Sequence, residues 1–191
     1  FRLVRVSRII AGHASGRKLS SPAKSTRPSS DRLKESLFSM LESRGILQES
    51  SVLDLFAGTG AVGLEAISRG AKKLVMVEKD PSAMKICLEN AELVSSHLPE
   101  EVEIQTIQQP VYKALENLVG GFELIFLDPP YDYPMKKLAE NLEQLVPLCQ
   151  GLVVLEKSSK TELPELSGLQ ISETKGYGDS ELVFFSRDFS R

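Results

Sequence analysis

The chain has no tryptophan, only two histidines and only two cysteines among its 191 residues. Cys87 and Cys149 lie far apart, each in an apolar, helix-like pattern, and the scarcity of histidine leaves no zinc-type ligand spacing. Both cysteines therefore read as buried, reduced thiols, and no metal is expected. Long hydrophobic runs are also missing: none approaches the roughly 18 apolar residues that crossing a bilayer requires. No membrane partner is expected. The sequence shows no internal repeat and no long low-complexity linker, so nothing in it reads as a solenoid.

What remains is the composition of an ordinary globular protein, 41% hydrophobic and 26% charged, long enough for one sizeable core. Its charge is unevenly placed. Nine of the 23 Lys and Arg residues fall within residues 1–34, against one of the 26 acids. That segment carries +8 and the remainder −11, within a net charge of −3. A basic arm on an acidic body suits a polyanionic partner. Arg17, Lys18, Arg27 and Arg32 are the candidate nucleic-acid contacts, and Glu35, like Arg27 and Arg32, is a candidate for such contact or for organising a site. Residues 1–30 are expected to form a basic extension with a short hairpin, and residues 31–191 one domain. The chain begins at Phe1 with an Arg- and Ser-rich, acid-poor stretch, compatible with the edge of an organellar targeting region.

Apolar–polar alternation over residues 3–10 predicts a short strand, paired with a second near 17–19. Ser30 or Asp31 is placed to cap a helix over residues 31–44, whose apolar face is Leu33, Leu37, Phe38, Met40 and Leu41, with Arg32 and Lys34 off that face. Further helices are expected over 62–69, from Asp80-Pro81 to about 94, over 111–119 and over 135–146. Strands are expected over 52–55, 73–78, 102–108, 122–128 and 151–156. The tail changes rhythm: strand-like 170–174 and 182–186 have no helix between them and read as an antiparallel hairpin. Alternating strands and helices predict an α/β fold, a mostly parallel sheet with helices on both faces.

The chemistry concentrates at the strand ends, where open α/β sheets bind ligands. Asp54-Leu55-Phe56-Ala57-Gly58-Thr59-Gly60 leads from strand into helix, and Gly58, Gly60 and Gly63 have the G-x-G-x-x-G spacing of a nucleotide-binding turn. Glu78 ends the next strand, 20 residues beyond Gly58, where a carboxylate accepts both hydroxyls of a ribose. Asp128-Pro129-Pro130-Tyr131 ends another strand. Two prolines stiffen that loop and fix its carbonyls, giving a rigid bracket of acceptors beside an aromatic ring. Such a bracket fits an exocyclic amino group of a nucleobase.

Together, Asp54 to Gly60 and Asp128 to Tyr131 resemble the class I S-adenosylmethionine-dependent methyltransferases that modify exocyclic amino groups. The closer resemblance is to the guanine-N2 methyltransferases of small-subunit ribosomal RNA. It includes Ile9-Ile10-Ala11-Gly12, Gly16-Arg17-Lys18-Leu19, Arg27-Pro28-Ser29-Ser30-Asp31-Arg32, Glu35-Ser36-Leu37-Phe38 and Gly63 to Ala71. The resemblance implies a Rossmann-like, seven-stranded sheet with an antiparallel C-terminal hairpin. It implies S-adenosyl-L-methionine held by Asp54, Phe56, Ala57, Gly58, Thr59, Gly60, Gly63, Glu78 and Asp128. It also implies catalysis at Asp128, Pro129, Pro130 and Tyr131, with Tyr131 touching a flipped guanine. The chain departs from the family pattern at Gln108-Gln109-Pro110, where an Asp or Asn usually meets the adenine; Gln109 is the substitute. The partner implied is ribosomal RNA or an assembling small subunit, met by a monomer in an organelle, a chloroplast in first place, or in a bacterial cytoplasm. Adenine-N6 methylation of DNA or RNA is the alternative within methyl transfer. A nicotinamide-dependent oxidoreductase shares the glycine spacing but leaves Asp128–Tyr131 without a use, as does a non-catalytic RNA-binding module.

Overall fold

The computed structural model describes residues 7–21 and 30–187, without the side chains of Ser30 and Asp31. Five helices and seven strands follow in the order α1 (Ser30–Ser43), β1 (Ser51–Asp54), α2 (Ala61–Ser68), β2 (Lys73–Val77), α3 (Pro81–Ser95), β3 (Glu103–Ile107), α4 (Val111–Asn117), β4 (Phe122–Leu127), α5 (Met135–Gln144), β5 (Cys149–Ser158), β6 (Leu169–Tyr177) and β7 (Ser180–Arg187). The strands form one sheet in the order β3-β2-β1-β4-β5-β7-β6. β1 to β5 are parallel, and β7 is antiparallel to both β5 and β6. This is the expected Rossmann-like methyltransferase architecture, tail hairpin included.

The strands sort their side chains by alternation. Val52, Leu74, Met76, Leu124, Phe126 and Val154 face one core with α1, α2 and α3. Leu53, Val75, Val77, Ile125, Leu127 and Val153 face the other with α4 and α5. Strands buried on both faces are what a parallel sheet between two helical layers requires. The chain leaves β1 toward β2 and β3, then returns to β4 on the other side of β1. The sheet therefore reverses its winding between β1 and β4, and a crevice opens there beyond the strand ends.

Local chemistry accounts for the helix starts. The Asp80 side chain accepts the Ala83 N–H at 2.8 Å and Pro81 opens α3, as expected of an N-cap followed by proline. The expected cap of α1 at Ser30 or Asp31 falls on side chains outside the described ones.

Three expectations need correction. Cys149 is not in a helix: it opens β5, which runs longer than residues 151–156 because Phe122 pairs with Cys149 before the register shift at Leu124. Lys34 does not fall off the apolar face of α1. It is buried, donating to the Arg8 carbonyl at 2.8 Å and lying 3.7 Å from Glu65 Oε2, so its charge is matched inside the fold. The N-terminal hairpin reduces to one antiparallel bridge, Arg8 to Lys18, among the described residues; residues 1–6 of the expected strand lie outside them.

The described part of the basic extension is packed on the fold. Ile9, Ala14 and Leu19 are fully buried in the core beneath α1, α2 and α3. Glu65, in the middle of otherwise apolar α2, accepts the Ile10 N–H at 2.8 Å, the Ala11 N–H at 3.1 Å and Arg69 Nε at 2.7 Å. Ser68 Oγ accepts the Ala14 N–H at 3.0 Å and donates to the Ala11 carbonyl at 2.6 Å. Gly12 (φ 82°) approaches so closely that a Cβ there would sit 1.8 Å from the Ser68 carbonyl oxygen. Only glycine fits that contact.

Candidate active site

The crevice is built from the carboxyl ends of β1, β2 and β4. Backbone pairing continues past the strands: the Leu55 N–H donates to the Phe126 carbonyl and the Ala57 N–H to the Val77 carbonyl, each at 3.0 Å. The glycine turn is thereby pinned to both neighbours. Gly58 (φ 54°) and Gly60 (φ 80°) take left-handed conformations that disfavour a side chain. A Cβ on Gly58 would meet no atom closer than 4.0 Å, so the backbone there faces open space. A Cβ on Gly60 would press on Cys87 Sγ and Met76 Sδ, both at 3.1 Å, and one on Gly63 on Leu74 at 2.8 Å. The three glycines thus serve a turn, a close approach beneath it and the docking of α2 on β2.

Two acids organise this turn. Asp54 is 3% exposed, and its Oδ2 accepts the Gly63 N–H at 3.0 Å. Burial drives its pKa up to about 7, with the Glu78 charge adding to the rise, while backbone hydrogen bonds from Gly63 and Phe56 oppose it. Glu78 is half-buried, and its two oxygens are used separately: Oε2 accepts the Gly58 N–H at 2.9 Å and Oε1 the Asp80 N–H at 2.8 Å. Each carboxylate oxygen thus accepts one backbone N–H and has capacity for a further hydrogen bond. Beneath, the buried Cys87 thiol is pushed up to about 12, by burial first and then by Asp54 and Glu78. Cys87 is a packing group, not a nucleophile.

Across the crevice Asp128 and Pro130 are exposed and Pro129 half-buried. The loop closes as a turn, the Tyr133 N–H donating to the Pro130 carbonyl at 2.8 Å. Tyr131 is 58% exposed, with its hydroxyl 3.4 Å from Ser180 Oγ at the start of β7. Phe56, from the β1 side, meets Tyr133 edge-to-face at 5.1 Å, and Tyr133 Oη accepts from Asn141 at 2.8 Å. An aromatic pair therefore joins the glycine turn to the Asp128 loop. Gln109 is exposed after β3, its N–H bonded to the Ile107 carbonyl at 3.1 Å. Arg17, Lys18, Arg32 and Glu35 are exposed, whereas Arg27 lies outside the described residues.

Asp54, the glycine turn, Glu78 and the Asp128 loop thus come together on one rim. Two participants escaped the sequence reading. Glu65 was visible as a lone acid in the apolar stretch 61–68. Asn90 was visible as a polar residue on the apolar face formed by Cys87, Ala91 and Val94. Its amide bonds both Ser20 and the Thr59 carbonyl. Among the described residues no cluster of His, Cys, Asp and Glu could hold a metal, and no helix is long and apolar enough to cross a membrane.

A seven-stranded 3-2-1-4-5-7-6 sheet, with a glycine turn after β1, an acid after β2 and Asp-Pro-Pro-Tyr after β4, defines a class I S-adenosylmethionine-dependent methyltransferase. Residues 7–186 match the family model described as conserved hypothetical protein 95, and the chain belongs to that family. It is 33% identical over 174 residues to ribosomal RNA small subunit methyltransferase D of Haemophilus influenzae, covering 88% of this chain and 89% of that one. It is 32% identical to YlbH of Bacillus subtilis, covering 94% and 98% of the two chains. Among solved structures, a hypothetical protein of Thermus thermophilus superposes with a TM-score of 0.78 at 34% identity, covering 94% of this chain and 98% of that one.

Proposed function

We propose that this methyltransferase transfers the methyl group of S-adenosyl-L-methionine to the exocyclic N2 amino group of a guanine in small-subunit ribosomal RNA. The observation that carries the reading is the rigid Asp128-Pro129-Pro130-Tyr131 loop standing across the crevice from the glycine turn. The relative from Haemophilus influenzae, named as a small-subunit ribosomal RNA methyltransferase and matched over nearly its whole length, supports the substrate class.

The residues present fit the donor. Open space above Gly58 admits it, and the lone pairs left on Glu78 suit the two hydroxyls of its ribose. Asp54 and Glu78 together give the turn an acidic floor, which suits a cationic ligand. Phe56, Ala57, Thr59, Gly60 and Gly63 would shape the remainder of that wall, and Gln109, exposed just beyond β3, would be the residue to meet the adenine. When bound, the donor supplies an electrophilic methyl group on a sulfonium that departs as a neutral thioether.

The chain's own task is to prepare the amino group. The lone pair of a guanine N2 is delocalised into the ring. Hydrogen bonds from its two N–H groups to the Asp128 carboxylate and the Pro129 carbonyl favour a pyramidal nitrogen and aim its lone pair at the methyl carbon. Once methylated, that nitrogen would have one proton to shed, which Asp128 or water would take. Orientation and fixed acceptors of this kind lower a barrier by on the order of several kcal/mol. Unstacking the base costs a few kcal/mol, which stacking on the exposed Tyr131 ring offsets. Arg17, Lys18 and Arg32, with Arg27, bind the RNA backbone. The protein acts as a monomer where bacterial-type ribosomes are assembled, in an organelle such as a chloroplast or in a bacterial cytoplasm.

The test is methylation of small-subunit rRNA with labelled donor by the wild type and by Asp128→Ala. The variant should lose transfer at least about a hundredfold and keep donor affinity within about threefold. Normal transfer by Asp128→Ala would remove the assigned role.

A further inference from the structure

Asn90 is 1% exposed and holds two distant segments of the chain at once. Its Oδ1 accepts the Ser20 N–H at 2.7 Å, and its Nδ2 donates to the Ser20 carbonyl at 3.0 Å and to the Thr59 carbonyl at 2.9 Å. Both polar backbone groups of Ser20 are thus taken by one side chain, as a neighbouring strand would take them. The Thr59–Gly60 peptide is fixed at both ends, because the Gly60 N–H donates to the Ala57 carbonyl at 2.7 Å. That peptide lies in the middle of the donor-binding turn. Ser20 follows Arg17 and Lys18 by two or three residues, with buried Leu19 between.

The amide is required at this position: an apolar residue like its neighbours Cys87, Ala91 and Val94 would leave the Ser20 N–H and carbonyl and the Thr59 carbonyl without the partner that Asn90 gives them. Losing either partner leaves the amide, and through it the other segment, less well held. A ligand that orders one segment therefore lowers the cost of ordering the other, which is positive coupling between two sites.

We propose that Asn90 is a positioning residue that couples RNA contact by the N-terminal segment to closure of the donor-binding turn, so that RNA and methyl donor each tighten the other's binding. This rests on the rRNA reading above. The experiment measures the affinity of S-adenosylhomocysteine by calorimetry, with and without saturating small-subunit rRNA, in the full chain. Wild type is expected to bind it at least about fivefold tighter with RNA present. In Asn90→Ala that ratio should fall to within about twofold of one, and KM for each substrate should become independent of the other. Ser20→Pro removes the N–H that Asn90 Oδ1 accepts and leaves the Thr59 contact in place. It should lower the ratio in the same way even if Asn90→Ala folds poorly. A wild-type ratio of one alongside normal RNA methylation overturns the coupling and leaves the rRNA reading standing. An unchanged ratio in Ser20→Pro overturns the route through Asn90. A wild type that neither binds nor methylates this RNA overturns both.

Discussion

Replacing Asp54 by Asn should flatten a pH dependence that the wild-type protein carries through this one group. Asp54 is almost wholly buried beneath the glycine turn, and its folded pKa stands at about 7, against 3.8 for the ordinary carboxyl. Between those values the folded protein holds a proton that the unfolded chain releases. Stability from this group is therefore full below pH 3.8 and is lost as pH rises toward 7. At about 1.36 kcal/mol per pH unit the whole loss is about 4 kcal/mol. The amide oxygen of an Asp54→Asn side chain would still accept the Gly63 N–H, so the fold is kept with a constant offset. Urea denaturation of the donor-free protein at half-unit intervals from pH 4 to pH 8 gives the comparison. The stability of the variant minus that of wild type should climb by about 4 kcal/mol across the range. A flat difference, or one that climbs toward acid, would refute the reading of Asp54 as a proton-holding floor.

A cation above the turn should pull that proton off. Donor affinity should then fall as pH drops below about 7 in wild type, and calorimetry in two buffers of different ionisation enthalpy should detect a released proton. Gly63→Ala would place a methyl group 2.8 Å from Leu74 and 3.2 Å from Asp54 Oδ2, and should cost about 1–3 kcal/mol in denaturation. Glu65→Ala would leave the buried Lys34 and Arg69 without their shared carboxylate. A loss of about 3–5 kcal/mol is expected, with fast hydrogen exchange at the Ile10 and Ala11 amides; protected amides would contradict it.

Where the sequence was legible, a local rule carried the reading. Gly58, Gly60 and Gly63 announce the turn because the first two take left-handed conformations that favour glycine and the third approaches Leu74 too closely for a side chain. Asp80-Pro81 marks a helix start, and period-two patterning separates the two buried faces of the sheet. Asp54, Glu78 and Asp128 fall on one rim because parallel strands carry their ends to the same side. What escaped was set by tertiary partners. Lys34 has the composition of a surface residue and is buried only because Glu65 and the Arg8 carbonyl meet it inside. Cys149 sits in an apolar run with no periodicity to separate helix from strand, and its pairing with Phe122 decides the matter. Asn90 gave a clue, a polar residue on an apolar face, but its partners lie 31 and 70 residues away.

The central claim is that the Asp128 loop presents a guanine N2 amino group to the donor. Its most direct test is mass spectrometry of nucleosides from small-subunit rRNA treated with the wild-type protein and with Asp128→Ala. N2-methylguanosine at a single position, present with wild type and missing with Asp128→Ala, is the expected result. N6-methyladenosine as the product, or N2-methylguanosine formed equally by Asp128→Ala, would contradict it.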